Sequence, residues 1–142
     1  MKDRFYIKQC EEAMQLDRIK DMLGKSYWAK DRSVETIEKS IENSRCYGAF
    51  SVDDHKQIGF ARVITDYATF YYICDVIVDE DYRGNSIGKE LVQAIVSDEA
   101  LQLSLIHIFQ EAFSRGSIQI FLTGVCAEGM KQQKNILILR VY

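Results

Sequence analysis

A chain of 142 residues with 47% apolar and 27% charged side chains has the make-up of one globular domain that can bury a core. Its net charge of −3 and pI near 5.4 exclude broad electrostatic binding of nucleic acid, while leaving room for a local anion pocket. Cys10, Cys46, Cys74 and Cys126 form no C-x-x-C pair and the two histidines cannot complete a zinc pattern, so free thiols and no metal are expected.

Phe5-Tyr6-Ile7 reads as a short first strand. From Glu11 to Gly24, apolar Ala13, Leu16, Ile19 and Leu23 recur at helical spacing, and Gly24 supplies a stop. Ser33 is placed to cap a second helix with Val34, Ile37 and Ile41 on its apolar side. Two strands, Cys46 to Val52 and Gln57 to Ile64, flank the turn-like Asp53-Asp54-His55-Lys56 and predict a hairpin with His55 on the surface. Thr69 to Val78 reads as a central strand covered on both sides. Strict alternation puts Phe70, Tyr72, Cys74, Val76 and Val78 on one face, with Tyr71, Ile73, Asp75 and Ile77 on the other. Ile87 to about Ala100 carries Leu91, Ala94 and Ile95 on one stripe of a third helix. Ile118 to Leu122 and Ile136 to Val141 are further candidate strands. No segment is apolar enough to span a membrane and no signal region opens the chain, so a reducing cytoplasm is the expected location.

The stretch from Cys74 to Val92 carries the chemistry. An apolar strand runs into the acidic turn Asp79-Glu80-Asp81, then Tyr82, then Arg83-Gly84-Asn85-Ser86-Ile87-Gly88 and a helix. Small residues at a helix start leave backbone N–H groups pointing outward at the positive end of the helix dipole, which suits a phosphate or pyrophosphate. The alternative is a strand-to-helix turn that binds nothing. A dinucleotide-binding unit is disfavoured because its glycine loop follows a first strand, whereas this loop comes late, after a hairpin. The G-x-x-x-x-G-K-[ST] phosphate loop is not matched either: Gly84 and Gly88 are four apart and Glu90 follows Lys89.

The element order, with Arg83 and Gly88 at the ends of the turn, resembles the GNAT superfamily of acyl-CoA-dependent N-acyltransferases. That family's signature is Gln or Arg, two residues, Gly, one residue, then Gly or Ala. Ser86 stands where the middle glycine is usual. Gly59-Phe60-Ala61-Arg62, Cys74-Asp75-Val76 and Asp81-Tyr82-Arg83-Gly84 add to the likeness, which covers about Phe5 to Leu101. It implies an α/β fold with a mixed, mostly antiparallel central sheet flanked by helices. It also implies acetyl transfer from acetyl-CoA to an amine of a small molecule or peptide, through a direct ternary complex. A homodimer is common in the family. A non-catalytic acyl-CoA-binding module, or an inactive truncated acetyltransferase, is the alternative.

Carried over by position, the main chain of Val76, Ile77 and Val78 pairs with the pantetheine arm. The amides of Arg83, Gly84, Asn85, Ser86, Ile87 and Gly88 cradle the pyrophosphate, Lys89 adds charge, and the Val76 N–H stabilises the oxyanion. Asp75 interrupts an apolar strand beside this site. It is expected to act as a base with a pKa raised by partial burial, to bind substrate, or to serve structure. Trp28 and Arg32, between the first two helices, border the acceptor site and suit an acceptor with an apolar part and a carboxylate. Tyr71 and Tyr72 read as core or pocket wall, and a Cys74-linked acyl intermediate is disfavoured for an apolar, poorly ionised thiol. The family's usual acid is a tyrosine after the fifth strand, in a pattern this chain lacks; Tyr142 stands in the wrong context.

The division expected is 1–102 for the acetyltransferase part and 103–142 for an atypical tail. Leu-Ser-Leu-Ile-His-Ile at 103–108 looks like the translation of a transposon mosaic end used as a sequencing adaptor. The tail is therefore expected to stem from an adaptor or a shifted reading frame, which would deprive the central strand of its parallel neighbour unless Ile118 to Leu122 pairs there instead.

Overall fold

The computed structural model describes residues 4–68, 71–101 and the strand 138–141. One five-stranded sheet runs in the order β1 (Phe5–Gln9), β2 (Arg45–Ser51), β3 (Gln57–Thr65), β4 (Tyr71–Val78), β5 (Ile138–Val141). The first four strands are antiparallel neighbours, and β5 lies parallel to β4, so the sheet is mixed and mostly antiparallel as expected. Helices α1 (Leu16–Gly24) and α2 (Val34–Glu42) cover one face and α3 (Ile87–Val96) covers the other, a three-layer arrangement. Among the described residues no helix is long and apolar enough to cross a membrane.

Each face has its own core. On the α3 side Tyr47, Ala49, Ile58, Ala61 and Val63 of the hairpin pack with Ile87, Leu91 and Ile95. On the other side Ile19, Leu23, Ile37 and Ile41 close over Cys46, Phe60 and Ile77. The predicted hairpin forms, with the Ser51 amide bonded to the Lys56 carbonyl at 2.9 Å and the Asp54 carboxylate accepting the Lys56 N–H at 3.1 Å. His55 is exposed in that turn. Ser33 caps α2 by accepting the Thr36 N–H at 3.2 Å.

Two helices are shorter than their periodicity predicts. The run from Glu11 splits into a 3-10 turn at Glu11–Ala13 and then α1, with Gln15 extended between them at φ −97°. A tertiary exchange holds that break: the Gln15 N–H donates to Gln57 Oε1 at 2.8 Å, and the Gln57 N–H donates to Gln15 Oε1 at 2.9 Å. Gln57 is fully buried, so its amide needs these partners. α3 ends at Val96 because Asp98 is drawn to β2, where its carboxylate accepts from Arg45 at 2.8 Å and from Tyr47 Oη at 2.5 Å.

The edge of β4 is covered rather than bare. Ile73, Cys74 and Val76 pair with Ile138, Leu139 and Val141. Of the two outcomes open for this edge, bare or covered by a segment of the tail, the second holds, through β5: a free row of N–H and C=O groups recruits a β-prone apolar segment. The other candidate, Ile118 to Leu122, lies outside the described residues, as do Thr69, Phe70, Cys126 and Tyr142.

Candidate active site

The site grows from an irregularity in β4. Phe60 pairs with Ile77 and Arg62 with Cys74, so Ala61 alone faces both Asp75 and Val76. One extra residue makes a β-bulge, and Asp75 takes it up with φ +55°, a left-handed conformation that a short polar side chain tolerates. The strict alternation read from the sequence is therefore overturned. Ile73, Val76 and Val78 share the α3 side, while Ile77 lies on the α1/α2 side. A single inserted residue exchanges the faces of everything after it.

The bulge turns the Asp75 carboxylate, 3% exposed, toward the loop between α1 and α2. Arg32 Nη1 donates to Oδ2 at 2.6 Å, Arg62 Nε donates to the same oxygen at 3.0 Å, and Trp28 Nε1 donates to Oδ1 at 3.3 Å. Arg62 Nη1 continues to Ser44 Oγ at 2.9 Å. The loop is set by Ser26, which accepts the Ala29 N–H at 3.2 Å and donates to the Leu23 carbonyl at 2.6 Å while Ala29 is buried beside it. Burial alone pushes the Asp75 carboxyl up, but the Arg32 and Arg62 guanidiniums overcome it and hold it below the usual carboxylate range. The expected upward shift is corrected on this ground, since two cations at hydrogen-bond distance outweigh desolvation.

Burial raises both thiols nearby, Cys74 to about 11 and Cys46 to about 12. A thiolate on Cys74 is thus scarce at neutral pH, in keeping with the disfavoured covalent route. Among the described cysteines, Cys10 is expected to be alkylated by iodoacetamide at pH 8 well before Cys46 or Cys74 in the folded protein. Peptide mass spectrometry over a time course reads the order, and early labelling of Cys74 would contradict the buried placement.

Beyond β4 the chain makes the 3-10 turn Glu80–Tyr82, capped by Asp79, whose Oδ1 accepts the Asp81 N–H at 3.0 Å. Arg18 of α1 pairs with the other Asp79 oxygen and also donates to the Gln57 carbonyl at 3.1 Å, tying α1 to the end of β4. Gly84 at φ +87° and Ser86 at φ +65° then bend the backbone into α3. The first helical bond runs from the Glu90 N–H to the Ser86 carbonyl at 3.0 Å. The N–H groups of Ile87, Gly88 and Lys89 precede it and have no intrahelical acceptor. Among the described residues a Cβ built on Gly84 meets nothing within 4 Å, and one on Gly88 meets only Val78 Cγ2 at 3.7 Å. The fold itself has room for a side chain at 88, so the open space over the helix start suits an anion that approaches the backbone closely.

Ser86 holds a left-handed conformation that a glycine would adopt at no steric cost. Ser86→Gly is expected to raise stability by about 0.5–1 kcal/mol, the relief of left-handed strain less the added chain entropy. That is roughly 2–4 °C in Tm by thermal unfolding; a fall in Tm would show that the serine is not strained.

A sequence profile of the Acetyltransferase (GNAT) family matches residues 11–121. The chain belongs to this family. The GNAT match runs past Leu101, where the likeness was expected to stop, into residues outside those described. A solved GNAT structure from Xanthomonas campestris pv. campestris is 31% identical, with TM-score 0.67 over 78% of this chain and 83% of that one. An acetyltransferase-related protein of Gibberella zeae is 26% identical over 107 residues, 63% of this chain and 59% of its own. The chain spans about half the length of the curated relatives it matches first. The fold is also that of an aminoglycoside 6′-N-acetyltransferase solved with coenzyme A, 21% identical, with TM-score 0.53 over 78% of this chain and 57% of that one.

Within the GNAT domain the structure brings Asp75, Trp28 and Arg32 into direct contact, and sets Val78 beside Gly88. Lys89 is exposed, and Arg83 folds back so that its Nε donates to the Val78 carbonyl at 3.4 Å. Tyr71 and Tyr72 are half-buried. Arg62, Ser44, Arg18 and Gln57 were not singled out from the sequence. Arg62 carried a signal, a cation inside the apolar run Gly59 to Ile64, which requires a buried anionic partner.

Proposed function

We propose that the chain is an N-acetyltransferase moving an acetyl group from acetyl-CoA to an amine of a small molecule or peptide. The observation that supports this most is the junction of β4 with α3. Ile77 and Val78 lie past the last described β4–β5 pair, and they lead directly to a helix start with unpaired amides and the side-chain-free Gly88. The Arg83 N–H is spent on the Glu80 carbonyl at 3.4 Å, so of the amides expected to hold the pyrophosphate those from Gly84 to Gly88 would do so, with Lys89 nearby for charge. The main chain of Ile77 and Val78 would pair with the pantetheine arm as an added strand, beyond Val76, whose edge β5 takes through Val141. When bound, acetyl-CoA supplies an activated acyl thioester.

The chain's own part is positional and electrostatic. The role the resemblance gives to the Val76 N–H, donating to the acyl oxygen as negative charge develops, would require β5 to part from β4 at the Val76–Val141 pair. Asp75, held as a carboxylate between two guanidiniums, anchors Arg32 and Trp28 at the acceptor side rather than taking up a proton. The amine nitrogen would form the new C–N bond as the C–S bond of the thioester breaks, the proton lost by the amine passing through water to the departing thiolate, and orientation of the two reactants supplies much of the rate. Membership of the GNAT family and the coenzyme A complex of a protein with this fold support the reading.

The pinning of Asp75 also favours a second reading, a non-catalytic acyl-CoA-binding module or an inactive truncated acetyltransferase. Calorimetry with acetyl-CoA and thiol release across a panel of amines separate the two. Binding with amine-dependent release of thiol supports the enzyme. Binding without release across the panel supports the module, and no binding removes both.

A further inference from the structure

We infer that Arg18 is a positioning residue for the cofactor: through Asp79 it fixes the turn whose amides would take the diphosphate of coenzyme A, without touching the cofactor itself. This rests on the acyl-transfer reading and deepens it at the same site. Asp79 is the joint between β4 and that turn. Its N–H donates to the Ile58 carbonyl of β3 at 2.8 Å, its carbonyl accepts the Tyr82 N–H at 3.0 Å, and its Oδ1 accepts the Asp81 N–H at 3.0 Å. One residue thus orients both the strand end and the turn, and Gly84 and the start of α3 follow from there. Arg18 holds the remaining carboxylate oxygen, Oδ2, and so sets the direction of the joint. It reaches Asp79 from the first turn of α1 and is itself anchored on two sides. Its Nε donates to the Gln57 carbonyl at 3.1 Å and its Nη1 donates to Asp21 Oδ2 at 3.2 Å. Gln57 is in turn locked to Gln15, so the guanidinium is seated on the start of β3 and on α1 together. Each of its three nitrogens has an acceptor and its side chain is only 16% exposed, so Arg18 is spent on the fold rather than held out to a ligand. Burial pushes the Asp79 carboxyl up, but the Asp81 N–H and the Arg18 guanidinium hold it below the usual carboxylate range, and the pair stays charged at neutral pH. An ion pair drawn out of water adds little net stability. What this one supplies is direction, and a cradle of backbone N–H groups binds an anion well only when it is aimed beforehand.

The test is calorimetry on the full chain with two probes, coenzyme A and pantetheine, the second of which lacks the diphosphate. Arg18→Met is expected to bind coenzyme A at least about 10-fold more weakly, with pantetheine changed by less than about 2-fold. Arg18→Lys is expected to recover part of the loss. Asp79→Asn keeps an oxygen for the Asp81 N–H and puts an amide where Arg18 holds a carboxylate oxygen. It is expected to lose as much as Arg18→Met, and the double variant no more than either, because both changes act at one joint. Asp79→Asn also decides the matter should Arg18→Met fail to fold. Three results overturn the inference and leave Arg18 a brace of the fold alone. They are coenzyme A affinity in Asp79→Asn within about 2-fold of the parent, equal losses for coenzyme A and pantetheine, and losses that multiply in the double variant. Each of these leaves the acyl-transfer reading standing, whereas failure of the parent to bind coenzyme A strikes that reading and this inference with it.

Discussion

Replacing Gly88 by leucine is expected to weaken acetyl-CoA binding by at least about 100-fold, roughly 2.7 kcal/mol, while the fold survives. The opposition of the two effects is what makes the change informative. Every Cα–Cβ bond in an α-helix tilts toward the N-terminus, so a side chain at 88 extends over the free amides of the first turn of α3. The protein offers it space, since the nearest atom to a Cβ there is Val78 Cγ2 at 3.7 Å. Gly88→Ala sharpens the contrast. Alanine is the better helix former by about 0.5–1 kcal/mol, so its Tm should rise or hold while its affinity falls. Thermal unfolding and calorimetry on the same preparations check both. Unchanged affinity in the leucine variant would remove the turn from the cofactor site.

Asp75→Ala is expected to cost about 3–5 kcal/mol, because it leaves two half-buried guanidiniums without their anion. That is a large share of the total for a domain of this size. Asp75→Asn should cost less, since asparagine keeps the acceptor oxygen and also tolerates a positive φ. The pH dependence follows from the sign of the shift. The folded carboxyl sits below its unfolded value, so its contribution is fully present above about pH 4. It is lost as pH falls through the still lower folded value. Urea midpoints between pH 7 and pH 3 should therefore fall more steeply for the parent than for Asp75→Asn. Equal slopes would show that Asp75 is not held as a carboxylate. Should the chain prove active, no limb of its rate profile between pH 5 and pH 8 should vanish in Asp75→Asn, because a group ionised throughout that range cannot produce one.

Much of the architecture was legible because local signals and tertiary packing agree. The hairpin at Asp53 to Lys56, the Ser33 cap, the stop at Gly24 and the start of α3 at Ile87 each follow from residues that act within a few positions of themselves. The turn from Arg83 to Gly88 was legible for the same reason, since helix-start amides and small residues are local facts. What depended on partners distant in sequence was not. Gln15 meets Gln57 across 42 positions and breaks a run that periodicity alone extends. Asp98 meets Tyr47 across 51 positions and ends α3 early.

Asp75 shows the division most clearly. Its place in an apolar strand marked it from the sequence alone, as a charge that needs a reason to be there. Its sign of pKa shift, its left-handed backbone and the face it presents were decided by the fold. Arg32 and Arg62 come from 43 and 13 residues away to hold it, and the bulge opposite Ala61 shifts the register of every side chain beyond it. The sequence by itself determined the family, the strand-and-helix order and the small-residue start of α3, because these rest on short-range pattern. Only the tertiary structure decided the charge state and surroundings of the site, because electrostatic neighbours and strand register are set by contacts that no local pattern encodes.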